Sequence, residues 1–446
     1  MTEYRLMAAC LPGATAERAQ LAGMLPAGHA SARGPKAEVL PQEASGVNAV
    51  DGGAAAGCAV LAWARSGLME LTGCAAGPPL APVAPILARA AAVLSALGNF
   101  SGQKRDMPPE LELRAVLADR AAEAGWHRQG TVSANGTCRL LPAADGWLAI
   151  NLARPADVSS LPAVLRRDVT GDPWDELRSE AASHPAADLA AAAQLVGIPA
   201  AVLGGDCPAP IRLSQLGARL TPPPAHGVLL DLSAMWAGPL CTSILGRAGW
   251  RVLKVEDSRR PDGARFGPPK FYASLHASQA TIRLDFGTTA GRAELHRLAD
   301  TAAIIVESSR RRALRGLGLI AEDWISAAPG RIWVCITGYG REDPQQRVAF
   351  GDDAAVAGGL VAYAADGTPV FCGDAIADPL TGLYAALATM AAHVAGGGEL
   401  VDVAMAGVSA HVARRPAGRL LPHVIRRGSD GWTVSHGALT EPVRAP

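Results

Sequence analysis

The 446-residue chain reads as an α/β protein: a large domain on a Rossmann-like parallel sheet, plus a smaller α/β domain. Three features predict this. Val228-Leu-Leu-Asp-Leu232, a helix opening at Ala237-Gly-Pro239 and running to about Gly249, and Arg251-Val-Leu-Lys-Val-Glu256 form a β-α-β unit, and such units build parallel sheets. Thr301-Ala-Ala-Ile-Ile-Val-Glu307 and Arg331-Ile-Trp-Val-Cys-Ile-Thr337 supply two further strands, with a helix over Thr289–Ala299. Thr221-Pro-Pro-Pro-Ala-His-Gly227 is stiffened by three prolines and reads as an interdomain linker.

The remaining elements follow in order. Residues 1–50 show no periodicity, and Ser31-Ala-Arg-Gly-Pro-Lys36 reads as a loop. Residues 83–98 are apolar nearly all round, which predicts a buried helix stopping at Gly98. Asp145-Gly-Trp-Leu-Ala-Ile-Asn-Leu152 is a turn feeding a strand. An Ala/Leu helix over 185–195 precedes a strand-like piece from Gly197. The predicted divisions are 1–105, a small domain at 106–220, the linker at 221–227, the large domain at 228–410 and a tail at 411–446.

Composition removes several function classes. Lys plus Arg and Asp plus Glu each number 41, and this balance argues against a general nucleic-acid binder. Hydrophobic residues are 49% and charged residues 18%, so the chain can bury a core. The eight cysteines (Cys10, Cys58, Cys74, Cys138, Cys207, Cys241, Cys335, Cys372) form no Cys-x-x-Cys pair, and no histidines cluster at metal-ligand spacing, so no metal is expected. Glu3 and Arg5 precede any apolar stretch, and no apolar run is long enough for a bilayer. The expectation is a soluble, cytoplasmic protein with reduced thiols.

A dinucleotide site would need Gly-x-Gly-x-x-Gly after the first strand, so that backbone amides can approach a pyrophosphate. The turn here, Ser233-Ala-Met-Trp-Ala-Gly-Pro-Leu240, has one glycine. Glu256 sits where a ribose-binding acid would, but an acid there is common by chance. A Rossmann-like sheet without a dinucleotide fits better.

The order of motifs resembles class III CoA-transferases, the family that includes formyl-CoA transferase, carnitine CoA-transferase and α-methylacyl-CoA racemase. The resemblance runs over roughly 227–410, through Leu230–Leu240, Gly249–Glu256, Leu284–Arg292, Val306-Glu307, Leu317–Leu319, Ile336–Gly340, Ile376–Ala386 and Gly398–Ala404. It implies a Rossmann-like large domain, coenzyme A as acyl-CoA substrate, carboxylic acid partners and Asp378 as catalytic nucleophile. Read from the residues alone, Asp378 precedes Pro379 at a helix N-cap, where free amides and the dipole favour an anion, and a cap is all it need be. The resemblance implies a chemical role as well, attack on a thioester through aspartyl anhydride and aspartyl-CoA intermediates.

The same resemblance implies CoA contacts from Met235, Trp236 and Ala237, and from Thr337 with the loop Gly338-Tyr339-Gly340. Trp236 could equally be core. A basic stretch of the family is here His276-Ala-Ser-Gln-Ala-Thr281, without a cation; Arg310-Arg-Arg312 and Arg315 stand as replacements, or as a solvated basic turn. Racemases of the family carry a Gly-His-Asp motif where this chain has Gly351-Asp-Asp353, which favours transfer over racemisation. A racemase or isomerase of the family, or an inactive CoA-binding subunit, are the alternatives. Small residues at 354–359 fit a roomy acyl pocket or plain helix packing.

Ser66-Gly-Leu-Met-Glu-Leu-Thr-Gly73, Gly77-Pro-Pro-Leu80 and Ala84-Pro-Ile86 resemble the stretch around Gly359-Leu360 and Ala375-Ile376, so 1–105 reads as a degenerate partial copy of the large domain. Aligning Ile86 with Ile376 (376 − 86 = 290) places Ala88 opposite Asp378 (378 − 290 = 88). Family members form interlocked homodimers. A homodimer, or a pseudo-dimer within one chain, is therefore expected.

Overall fold

The computed structural model describes residues 58–101, 109–223, 225–414 and 423–446; the reading of residues 1–50 as loop lies outside them. A seven-stranded sheet forms the centre, in the order β4 (Ile211–Gln215), β12 (Glu399–Ala404), β9 (Ile332–Thr337), β8 (Ala302–Glu307), β5 (Val228–Leu232), β6 (Arg251–Asp257) and β7 (Ala280–Leu284). All neighbours are parallel except β4, which runs antiparallel to β12 at one edge. The strands are near-continuous apolar runs because helices cover both faces. Leu229, Val252, Ile304, Val306, Val334 and Val401 face one core with Leu245, Leu380 and Leu383. Their neighbours Leu230, Val255, Ile305 and Trp333 face the other with Leu295 and Leu298. This alternation follows from the two-residue period of a strand.

The β-α-β unit lies where the sequence puts it, its helix spanning Ala237–Arg247. From β5 the chain steps to β6 and β7 on one side, then crosses back to β8, β9 and β12 on the other. Strand order therefore reverses between β5 and β8, and such a reversal opens a crevice outside the carboxyl ends of the strands.

The smaller unit holds an antiparallel sheet of β1 (Cys138–Ala143), β2 (Gly146–Asn151) and β3 (Ala200–Val202). Its core is Leu148, Ile150, Leu161, Leu177 and Leu189. β10 (Val361–Tyr363) and β11 (Pro369–Phe371) form a hairpin, and β13 (Val424–Gly428), β14 (Gly431–His436) and β15 (Leu439–Pro442) form a last small sheet.

Two divisions drawn from the sequence come out differently. β4 precedes the proline run, yet Ile211 pairs with Val403 and Gln215 with Glu399, so the prolines join two strands of one sheet rather than two domains. The strand reaches that edge because β12 offers it a free row of backbone donors and acceptors. Residues 58–101 share one core with the large sheet: Leu61, Trp63, Leu94 and Leu97 cluster with Leu383 and Leu387. The tail also folds back, with Arg65 Nη1 paired to Glu441 Oε1 at 3.2 Å and Arg444 N donating to Ala64 O.

Candidate functional site

Asp378 is the second residue of the helix Ala377–Val394, and the N-cap is Ile376, which makes no side-chain cap bond. This corrects the reading of Asp378 as a cap. Pro379 fits the first turn because it lacks only an amide hydrogen that would be unpaired there. The Asp378 carboxyl instead stands near the backbone amide of Ala237, at the start of the neighbouring helix, which favours its ionised form. Burial is the main cause that pushes its pKa up to about 7; Arg120 opposes this, Asp352 and Asp374 add to it, and the Ala237 amide opposes it.

Glycines let the backbone close in. A Cβ on Gly351 would collide with Asp378 Oδ2 and Ala375 O, so only glycine fits against the carboxyl. Ala375 itself has φ 42°, a left-handed conformation that costs a non-glycine residue energy. Asp352 holds it there: Ala375 N donates to Asp352 Oδ1 at 2.9 Å. The other Asp352 oxygen accepts from Asn135 Nδ2, also at 2.9 Å. Both oxygens of Asp352 are thus engaged in holding backbone and loop.

Two more acids complete the cluster. Asp353 is fully buried, and its carboxyl is pushed up to about 8, chiefly by burial. It accepts from Phe350 N at 3.0 Å and Asn151 Nδ2 at 3.2 Å. Asp374 is also fully buried and is pushed up to about 6, again chiefly by burial. Arg120 Nη1 lies 3.4 Å from its Oδ2. Sequence reasoning missed Arg120, Asn135 and Asp374. Arg120 stands in an ordinary polar helix, Asn135 in a turn and Asp374 beside a glycine, so nothing local marks them.

The turn after β5 is built under tension. Met235 has φ 71°, and its amide donates to Asp262 Oδ1 at 2.9 Å. The fully buried Lys254 Nζ donates to Ser233 O at 2.9 Å and pairs with Asp262 Oδ2 at 3.0 Å. Across the crevice, Ser308 Oγ accepts from Ala234 N at 3.1 Å, tying the ends of β5 and β8. Trp236 is 3% exposed and packs edge-on to Phe271 at 5.0 Å, whereas Met235 stays 40% exposed.

Thr337, Gly338, Tyr339 and Gly340 follow the carboxyl end of β9. A Cβ on Gly338 would lie 2.8 Å from that of Ala349, and Gly340 has φ 89°. Tyr339 is buried under Arg347, whose guanidinium carbon is 3.8 Å from the ring centroid. The Thr337 hydroxyl is buried without a hydrogen-bond partner.

Arg310 and Arg312 line an open cavity of about 350 Å³ with Gln194–Gly197 and Pro344–Gln346; Arg315 is exposed outside it. Burial, then the neighbouring cations Arg312, Arg154 and Arg260, lower the Arg310 pKa, so the cavity is electropositive. The segment 346–351 runs from this cavity past Gly338 to Asp378, with Val348 N held by Gln194 Oε1 at 2.9 Å. Five residues span at most ~17 Å. The arginine-lined cavity and the Asp378 carboxyl therefore lie at the two ends of one short segment.

Residues 227–428 match the family model described as CoA-transferase family III. Over those residues the chain is similar to CoA-transferase family III. The human succinyl-CoA:glutarate CoA-transferase is 31% identical over 231 residues, 48% of this chain and 52% of that protein. The succinate–glutarate CoA-transferase of Agrobacterium fabrum is 31% identical over 212 residues, 43% of this chain and 53% of that protein. The chain spans about half the length of the curated relatives it matches. A CAIB/BAIF family protein from Brucella suis superposes with 25% identity and a TM-score of 0.40, covering 46% of this chain and 64% of that one.

Asp378, the 235–237 turn, Arg310, Arg315 and the 337–340 loop all lie inside this matched segment, while Arg120 and Asn135 reach its acids from outside it. Among the described residues, no helix is long and apolar enough to cross a membrane.

Proposed function

We propose that the protein transfers coenzyme A from an acyl-CoA donor to a carboxylic acid, with Asp378 as nucleophile. The observation that carries this reading is the half-buried Asp378 carboxyl. It is raised to about 7, stands beside the amide that starts a neighbouring helix, and is joined by the segment 346–351 to a cavity lined by arginines. Arg310 receives the anionic end of CoA, with Arg315 a weaker, exposed contributor. Met235, the 337–340 loop and Gly351 line the path of the thioester arm.

In the first step an Asp378 oxygen attacks the thioester carbonyl, the carbon–sulfur bond breaks and CoA leaves as thiolate. The thiolate attacks the Asp378 carbonyl of the mixed anhydride and expels the donor as its free carboxylate, leaving an Asp378–CoA thioester. The acceptor carboxylate attacks that carbonyl and again releases thiolate. The thiolate then attacks the acceptor carbonyl, giving the new acyl-CoA and regenerating the Asp378 carboxylate. The Ala237 amide, beside the Asp378 carboxyl, supports the oxyanions that develop on the Asp378 carbonyl in the second and third steps, and it is placed before the reaction begins. Both Asp352 oxygens are engaged, which supports transfer over proton exchange at the α-carbon. The relatives' succinyl-CoA and dicarboxylic acid substrates fit the same reaction class.

Incubation with acyl-CoA followed by hydroxylamine should convert Asp378 to a hydroxamate, read by peptide mass. Asp378→Asn should abolish the adduct and lower transfer by roughly 10³-fold or more. An unmodified Asp378 after a broad panel of donors would sink the proposal.

A further inference from the structure

Arg120 is built as a receptor with unused capacity. Its guanidinium carbon lies 5.0 Å from the Trp126 ring centroid, 5.2 Å from that of Trp236 and 6.0 Å from that of Phe271. These ring faces hold the charge without consuming its N–H donors. Among the described residues its polar contact is one long pair, 3.4 Å to Asp374 Oδ2, and that oxygen accepts no hydrogen bond there. A guanidinium offers five donors in a planar fork. The side chain remains 19% exposed, so it is not wholly closed off from solvent.

Its position matters as much as its capacity. Trp236, one wall of the aromatic box, is the residue before Ala237, whose amide acts on the Asp378 carboxyl. Arg120 is the cation that acts on Asp378, while Asp352 and Asp374 act in the opposite sense. An anionic substrate entering this acid-rich cluster is repelled unless a cation receives it. A carboxylate held bidentately in the fork is a weaker nucleophile than a free one, so the group received is best not the one that reacts. A second carboxylate on the same molecule can be that group, by exchanging the long Asp374 contact for a bidentate pair.

We infer that Arg120 determines specificity by binding the second carboxylate of a short dicarboxylic acid whose first carboxylate reacts at Asp378. This rests on the transfer reading above and adds a substrate class to it. Asp374, itself held by Asn135 Nδ2 at 3.4 Å, keeps the guanidinium in place between turnovers.

The test compares glutarate with pentanoate, equal in carbon number and differing by one carboxylate, using butyryl-CoA as a donor without a second charge. The ratio of kcat/KM for glutarate over pentanoate should exceed one in the natural protein. It should fall roughly 10–100-fold in Arg120→Gln, with Arg120→Lys between the two. A change in Asp378 basicity alone would slow both acceptors alike and leave the ratio unmoved. Equilibrium binding of glutarate and pentanoate, measured without donor, gives the same comparison independently of turnover, with thermal melts reporting the fold of each variant. An unchanged ratio and an unchanged binding preference in Arg120→Gln would overturn the inference. Absence of a hydroxamate in the natural protein, with the binding preference intact and lost in Arg120→Gln, would overturn the transfer reading alone.

Discussion

Asp378 shows how one residue's chemistry is set by what surrounds it. A carboxyl raised to about 7 is largely protonated at pH 6 and largely ionised at pH 8. Only the ionised form attacks a thioester, so activity rises with pH through about 7. Burial raises the pKa and Arg120 lowers it, so Arg120→Gln should displace the rising limb to higher pH. Profiles of kcat/KM from pH 5.5 to 9 check both statements. A flat profile in the natural protein would show that a different group limits the reaction. Part of this was open to sequence reasoning: Asp378 stands in a patterned stretch before Pro379, while the carboxyls that tune it come from Asp352 and Asp374, whose place beside it no local pattern reports.

The two helices 237–247 and 377–394 set the site's main distance. Gly382 lies at their crossing, where a Cβ would be 2.7 Å from Ala237 O and 3.0 Å from Leu240 Cβ. Replacing a helical glycine with alanine favours the helix by about 1 kcal/mol. The collision costs about 1–3 kcal/mol and meets backbone, which yields poorly, so the collision dominates. Gly382→Ala should lower the melting temperature. It should also move the Ala237 amide away from Asp378, reducing kcat and carrying the pH limb upward. A variant with higher stability and an unmoved pH limb would show that the spacing is slack. At this scale the strands and the β-α-β unit were legible, because apolar runs between glycines report burial locally. The β4–β12 pairing was not: five residues such as Ile211–Gln215 say nothing about which edge they join, and the prolines after them suggested a boundary.

The whole molecule brings its early helices, its tail and its smaller unit onto one framework. The Arg120–Asp374, Asn135–Asp352 and Asn151–Asp353 contacts, and the Gln194–Val348 contact, all close within a single chain. The first described helices share geometry with the later ones. Gly67 and Gly359, 292 residues apart, have φ of 82° and 81°, and the bridge Gly73–Pro79 has a counterpart 290 residues on in the pair Tyr363–Pro369. The helix Ile86–Ser101 packs against Ala377–Val394 in one core, with Ala88 standing 290 residues before Asp378. We propose that this stretch is a worn copy, keeping its packing but not the carboxyl, which supplies a partner's face without a second site. On that reading one chain holds a complete site. Asp378→Asn and Asn135→Asp, the latter adding a charge among buried acids, should each be inactive. Co-expressed, they should stay inactive, because each site draws Asp378 and Asn135 from the same chain. Restored activity in the mixture, accompanied by dimers in solution mass measurements, would show instead that two chains exchange their smaller units.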